Sequence, residues 1–239
     1  MPTKIEDWLD HAVARYDGVS LTSMSHEKFF RDPPRAQYVD RNYFWSPADG
    51  VILYQKQVDP DDDLVEAKGV DVCLRDMMGH CCPDCSCLVV GVFMSFYDVH
   101  VNRMPSAGIL SHHSLPPLRT TNVPMLWVEH GIVQEGQVRK GNMKYLKPNA
   151  RAVNTIYDPW LRYTYYMVQL ADSDVSVIMH FKDVPYARYS QGERFSVVRW
   201  GSQVDLILPL DERYRFKTIC RPTDHVEAGL DALVKIERC

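Results

Sequence analysis

The stretch Val198-Arg199-Trp200-Gly201-Ser202-Gln203-Val204-Asp205-Leu206-Ile207-Leu208-Pro209 reads as a β-strand interrupted near its start by a Gly-Ser pair. Val204–Leu208 is an apolar run of strand length, and a glycine inside such a run marks a bulge or a close backbone approach. Further runs of this kind fill most of the chain from Leu88 onward. They are Leu88–Phe93, Pro124–Glu129, Tyr163–Gln169, Val175–Phe181, Phe195–Arg199 and Ala232–Ile236. Val, Ile, Tyr and Phe dominate the set, and Gly or Pro separates many of its members. Gln191-Gly192-Glu193-Arg194-Phe195 and Glu227-Ala228-Gly229-Leu230-Asp231 read as short acidic-Gly turns between strands.

Helical spacing belongs to the front of the chain. Ile5, Trp8, Leu9, Ala12, Val13 and Tyr16 recur at three- and four-residue intervals, and Gly18 follows as a stop. The opposite face carries Glu6, Asp7, Asp10, His11 and Arg15. A membrane-surface helix normally presents Lys and Arg there. The acidic face points instead to packing on the protein's own core or on a second subunit, and a homo-oligomer is expected. Asp32 to Pro47 reads as an irregular Pro- and aromatic-rich wrap, and Asp59-Pro60-Asp61-Asp62-Asp63 as a solvated loop. Leu74–Met78 reads as a short helix. The resulting fold class is α+β: a β-rich single domain over residues 1–239, with barrel-sandwich-like sheets and N-terminal helices.

A chain of 239 residues with 46% hydrophobic and 24% charged residues can bury a core without a disulfide or metal staple, which excludes global disorder. Its 27 basic and 31 acidic residues give a net charge of −4 with no long basic run, so a phosphate-tracking nucleic-acid binder is excluded. No stretch approaches the roughly 20 uninterrupted apolar residues of a membrane span, and no signal peptide is read at the start. Contact with a membrane is therefore expected to be peripheral at most. Seven cysteines, four of them at Cys81, Cys82, Cys85 and Cys87, suggest a reduced, cytoplasmic protein rather than a disulfide framework. Cys82, Cys85 and Cys87 have zinc-ligand spacing, with His80 close by, but no second Cys-x-x-Cys exists. No metal is expected, and a Cys-rich turn entering the strand at Leu88 is the plainer reading. His112-His113 is read as part of a Ser/Pro-rich loop.

Three segments hold the candidate chemistry. They are Phe44-Trp45-Ser46-Pro47-Ala48-Asp49-Gly50-Val51-Ile52, the stretch from Phe93 through Ser95-Phe96-Tyr97-Asp98-Val99-His100 to Gly108, and the Gly201-Ser202 strand. Each has an ordinary explanation: a Pro-Ala-Asp-Gly turn, a strand end with a core histidine, a bulge. In combination they resemble the phosphatidylserine decarboxylase family of pyruvoyl enzymes. That family shows S-P-A-D-G-x-I, then F-x-S-x-x-D-[VY]-H with a following M-P or similar pair, then a late Gly-Ser. In its compact branch the Gly-Ser lies in R-[FW]-G-S-x-V-D-x-x-L-P. Lys68-Gly69-Val70 with Leu74-Arg75-Asp76-Met77-Met78-Gly79 is similar to a further family stretch, K-G-x-x-x-x-L-x-x-L-L-G. The resemblance covers about Phe44 to the C-terminus.

The resemblance implies a lyase made as a zymogen, with a pyruvoyl cofactor derived from Ser202. The Ser202 hydroxyl would attack the Gly201 carbonyl, and β-elimination and hydrolysis would then leave a ketone at residue 202. Serine is a weak nucleophile and needs a base; His100 is implied as that base, with Asp49 orienting it. Glycine at 201 suits a strained backbone. Cleavage would give fragments 1–201 and 202–239. In turnover the ketone would form a Schiff base with an amine-bearing carboxylate substrate and accept the electrons left as CO2 departs, and His100 would return the proton. The nominal conversion is phosphatidylserine to phosphatidylethanolamine. Two alternatives stand beside it: a decarboxylase of a soluble free or modified amino acid, and a non-catalytic binding module that keeps Ser202 intact.

The chain departs from the family pattern at three places. Arg103 stands where one branch has a second histidine, D-Y-H-x-x-H-M-P, and arginine cannot act as a base near neutral pH. Tyr157-Asp158-Pro159-Trp160-Leu161-Arg162 replaces an Asn-Glu-Arg strand entry, and Ser95-Phe96 replaces the usual Ser-Pro.

Overall fold

The computed structural model describes residues 2–16, 18–24, 31–67, 70–173, 178–198 and 202–239. Lys68, Gly69, the start of the 175–181 run, Arg199, Trp200 and Gly201 lie outside these residues.

Helix α1 starts at Ile5–Trp8, and its winding continues, wider over Leu9–Val13 and tighter over Ala14–Tyr16. A single turn, α2 (Leu21–Met24), follows. Strands β1 (Tyr43–Trp45), β2 (Gly50–Val58), β3 (Asp63–Ala67) and β4 (Val70–Cys73) lead into α3 (Leu74–Met78). Next come β5 (Cys87–Met94), β6 (Val101–Arg103), β7 (Gly108–Leu115) and helix α4 (Leu126–Glu135). The middle of the chain forms β8 (Arg151–Asp158), β9 (Tyr163–Ala171), β10 (Ile178–His180), β11 (Ala187–Tyr189) and β12 (Arg194–Val198). The last stretch forms β13 (Ser202–Pro209), β14 (Tyr214–Thr218), β15 (His225–Val226) and β16 (Ala232–Arg238).

Eight strands join in the order β11-β7-β8-β9-β13-β5-β2-β15, with every neighbouring pair antiparallel. The strand read first from sequence, β13, lies inside this sheet, between β9 and β5. Side chains alternate across it. Val204, Leu206 and Leu208 face one core with Val90, Val92 and Met94 of β5, whereas Ile207 joins Val89 and Phe93 in the other. Burial on both faces explains why β5 reads as an unbroken apolar run, whereas β13 carries the buried polar residues Gln203 and Asp205 among its apolar ones. The sheets β1-β16-β14 and β10-β12-β6 cover the first face, contributing Val234, Ile236, Phe195 and Val198. Helices cover the second, through Ile5 and Trp8 of α1, Leu74, Met77 and Met78 of α3, and Val128 and Ile132 of α4. The result is the β-rich α+β architecture expected from the sequence, and α1 packs on the protein's own core.

Two readings are corrected. Pro124–Glu129 is not a strand: α4 begins inside it, so helices are not confined to the front. A short apolar run does not distinguish helix from strand, and here the deciding contacts are tertiary. The Met125 N–H donates to Asp172 Oδ1 at 2.9 Å, and Val128 and Ile132 bury one side of the helix. His112 and His113 lie in β7, not in a loop; His112 pairs with Asn154 and stacks on His180, ring centroids 3.8 Å apart.

Candidate active site

Ser202 is the first residue of β13, fully buried, between Met94 at the end of β5 and Ala171 at the end of β9. Its Oγ lies 3.9 Å from the sulfur of Met94, which also accepts a contact from Asn102 Nδ2 at 3.3 Å. Asn102 is fixed in turn by Gln169, whose Nε2 donates to Asn102 Oδ1 at 2.6 Å. Among the described residues the hydroxyl thus faces the soft sulfur of Met94, itself backed by a pinned amide.

Directly after Met94 the chain makes the turn that carries the Asp-x-His motif. Ser95 N–H and Oγ–H both donate to Asp98 Oδ2, at 2.8 and 2.6 Å, closing a four-residue loop. The Phe96 N–H donates to Glu129 Oε1 of α4 at 3.1 Å. This loop delivers His100, which is 1% exposed. Its Nε2 stands 3.0 Å from the Ser95 carbonyl oxygen and its Nδ1 3.1 Å from that of Val198, and the His100 carbonyl accepts from Val198 N–H. A neutral imidazole can donate to only one of two carbonyls, so one nitrogen keeps a lone pair. Burial, opposed by those carbonyls and by Asp98 and Asp49, holds His100 below the usual histidine range and favours that neutral form at pH 7. His100 therefore bridges the main chain four residues before Ser202 and the main chain just beyond Ser202's partner on β5.

Asp49 sits in the Ser-Pro-Ala-Asp-Gly turn and is 3% exposed. Arg35 grips both its oxygens, at 2.6 Å each, and the Ala228 N–H donates to Oδ1 at 2.8 Å. Its hydrogen bonds among the described residues thus go to Arg35 and Ala228, and it acts on His100 through its charge. The carboxylate that directly pairs a histidine is Asp98: its Oδ1 is 2.7 Å from Nε2 of His225, on β15. Trp8 of α1 stacks on the His225 ring, centroids 4.8 Å apart. Burial disfavours both charges, yet each partner outweighs it for the other, so the Asp98 carboxyl lies below and His225 above its ordinary range. Asp49, Asp98, His225, Trp8 and Arg31 line a cavity of about 480 Å³ beside this loop.

Arg35 and His225 were missed in the sequence. Arg35 lies in the stretch read as an irregular wrap, and His225 lies in Thr-Asp-His-Val, which carries no motif. Arg103 points to Gly192 O, at 3.0 Å, and toward Asp32. Cys82, Cys85 and Cys87 are free thiols, burial pushes the Cys82 thiol up to about 11, and no metal-holding group of His, Cys, Asp or Glu occurs among the described residues. Among those residues no helix is long and apolar enough to cross a membrane.

The family model for phosphatidylserine decarboxylase matches residues 27–233, nearly the whole chain. This chain belongs to the phosphatidylserine decarboxylase family. Among similar members is the phosphatidylserine decarboxylase proenzyme of Gluconacetobacter diazotrophicus, 28% identical over 210 residues, covering 87% of this chain and 75% of that one. Another is the putative archaetidylserine decarboxylase proenzyme of Methanothermobacter thermautotrophicus, 29% identical over 197 residues, 82% of this chain and 75% of the relative. The phosphatidylserine decarboxylase proenzyme of Novosphingobium aromaticivorans is 27% identical over 185 residues, 76% of this chain and 62% of its own. Members of the phosphatidylserine decarboxylase family are decarboxylases, and the relatives' names describe proenzymes.

Proposed function

We propose that this chain is a self-processing, pyruvoyl-dependent decarboxylase that removes the α-carboxylate of an amino-acid moiety, with phosphatidylserine as its substrate. The observation that carries the reading is the position of His100, a buried imidazole whose ring nitrogens stand 3.0 Å from the Ser95 carbonyl oxygen and 3.1 Å from that of Val198, on either side of the approach to Ser202.

In maturation, Ser202 Oγ attacks the carbonyl carbon of residue 201 while His100 accepts the hydroxyl proton. The peptide C–N bond breaks and an ester remains. Loss of the Cα proton then breaks the Cβ–Oγ bond, freeing residue 201 as a carboxylate, and hydrolysis of residue 202 releases ammonia and leaves the ketone. Asp49, held rigid by Arg35 and Ala228, places a negative charge that favours the imidazolium formed as His100 takes the proton. A serine hydroxyl buried at a strand start suits such a group, because pairing to β5 and β9 fixes its position.

A pyruvoyl group at 202 would supply an electron sink for the pair left by departing CO2. Around it, Met94 and the Asn102–Gln169 pair shape the pocket and His100 holds a proton to return to the α-carbon. Fragment 202–239 would stay in place, since β13 is bonded to β9 and β5, and β16 to β1.

Denaturing mass analysis is expected to show chains 1–201 and 202–239, the smaller one blocked to N-terminal sequencing. Ser202→Ala is expected to give one chain. A wild-type protein that remains unbroken with an ordinary serine overturns the reading. Assay of CO2 release from phosphatidylserine vesicles against a panel of soluble amino acids tests the substrate.

A further inference from the structure

A groove of about 500 Å³ is lined by Arg103 at the end of β6, Arg194 at the start of β12, Glu193, and Asp32 and Arg35 among others. Its charges are unevenly matched. Arg35 is neutralised by Asp49 in a two-pronged ion pair. Arg194 forms a close ion pair with Asp32, and Glu193 is taken by Lys182 at 2.6 Å and by Ser190 N–H at 2.8 Å. Arg103 remains. Its side chain is 10% exposed, its hydrogen bond goes to the neutral Gly192 carbonyl, and the nearest carboxylate oxygen, on Asp32, is 3.6 Å away. Among the described residues no carboxylate lies within hydrogen-bond reach of it.

Arg103 and Arg194 thus share the carboxylate of Asp32, an incomplete match for two guanidiniums, and a guanidinium presents a planar fork that fits phosphate oxygens two at a time. Burial and the guanidiniums of Arg35 and Arg194 work against the Arg103 charge while Asp32 and Asp49 favour it, the balance lying against the charge, and a ligand anion would offset that balance. The site is built to hold this side chain. Gly229, at φ +71°, lies against it, and a Cβ there would come to 3.2 Å from Arg103 Cδ. Arg103 is also placed suitably with respect to the candidate chemistry. It follows His100 by three residues on an extended strand, a rise of about 10 Å, so an anion bound there is offset from the group that reacts.

We propose that this groove, with Arg103 at its centre, binds the phosphate of a phosphate-ester substrate. The substrate sense of the assignment rests on the proposed decarboxylase reading: the α-carboxylate must lie at the reacting centre, and a phosphodiester headgroup carries one further anion. The residue that replaces the second histidine of one family branch thereby acquires a binding role.

Calorimetric titration of the purified full-length protein with inorganic phosphate, glycerophosphoserine and free serine tests the proposal. Phosphate and glycerophosphoserine are expected to bind and serine to bind at least tenfold more weakly. Arg103→Gln is expected to weaken both phosphate ligands at least tenfold; if that variant does not fold, Arg194→Gln at the exposed rim is expected to weaken them several-fold. The same titration of Ser202→Ala, which has no route to a ketone, is expected to match wild type, so binding is read independently of catalysis. Folded wild-type protein that binds neither phosphate ligand, or an Arg103→Gln variant that binds as wild type does, overturns the proposal. Binding of inorganic phosphate without glycerophosphoserine overturns the substrate role.

Discussion

His225 Nε2 stands 2.7 Å from Asp98 Oδ1, a buried ion pair between residues 127 positions apart. Asp98 in turn fixes Ser95, whose carbonyl meets His100. Residues on both sides of the proposed cleavage point therefore set the position of the candidate base.

The pair makes stability depend on pH in a defined window. His225 is raised, so its contribution is full below the unfolded histidine value and is lost as pH rises through the folded one. Asp98 is lowered, so its contribution is full above the unfolded carboxylate value and is lost as pH falls through the folded one. Both are complete between about pH 4 and 6.5. His225→Gln is expected to cost about 3 kcal/mol there, and less on either side. Urea unfolding of both proteins from pH 3 to 9 checks this; a difference independent of pH contradicts it.

Glu129 titrates in the opposite sense to Asp98. Its Oε2 has no hydrogen-bond partner among the described residues, and burial pushes the carboxyl up to about 8. Stability is thus full below the ordinary carboxylate value and is lost as pH rises toward 8. Glu129→Gln keeps the shape without the ionisation. It is expected to be more stable than wild type by about 1–3 kcal/mol at pH 8, and by much less at pH 4.5.

Arg35 and Asp49 should behave as one unit. Arg35→Met leaves a buried carboxylate unpaired and is expected to destabilise by about 3–5 kcal/mol. Adding Asp49→Asn should recover part of that loss, and the non-additivity read from unfolding midpoints measures the coupling. Asp49→Asn alone is expected to slow the appearance of fragment 202–239 at least tenfold on denaturing gels.

Gly50 follows Asp49 with φ +151°, and a Cβ there would overlap the Phe93 carbonyl oxygen across the β2–β5 pair. Gly50→Ala is expected to abolish soluble folded protein or lower its midpoint by more than 10 °C, equivalent to over about 3 kcal/mol.

The central strands were legible because burial on both faces leaves β5 and much of β13 apolar over a strand's length, rich in Val, Ile and Phe. The Ser46–Gly50 turn and the Asp98-Val99-His100 segment were legible as local patterns. Helix α4 was not, since its start is set by Asp172, 47 residues away. The grip of Arg35 on Asp49 and the pairing of Asp98 with His225 were likewise invisible: partner choice there is made by the fold, and neither cation stands in a motif.

The interior position of β13 has a consequence for supply. A reactive group built from its first residue is part of the polypeptide and is walled in by strands on either side, so it can be neither borrowed nor reloaded. Each molecule would be charged once, at birth, and its working life would end with any side reaction that consumed that carbonyl. Output would then not follow the level of a diffusible vitamin.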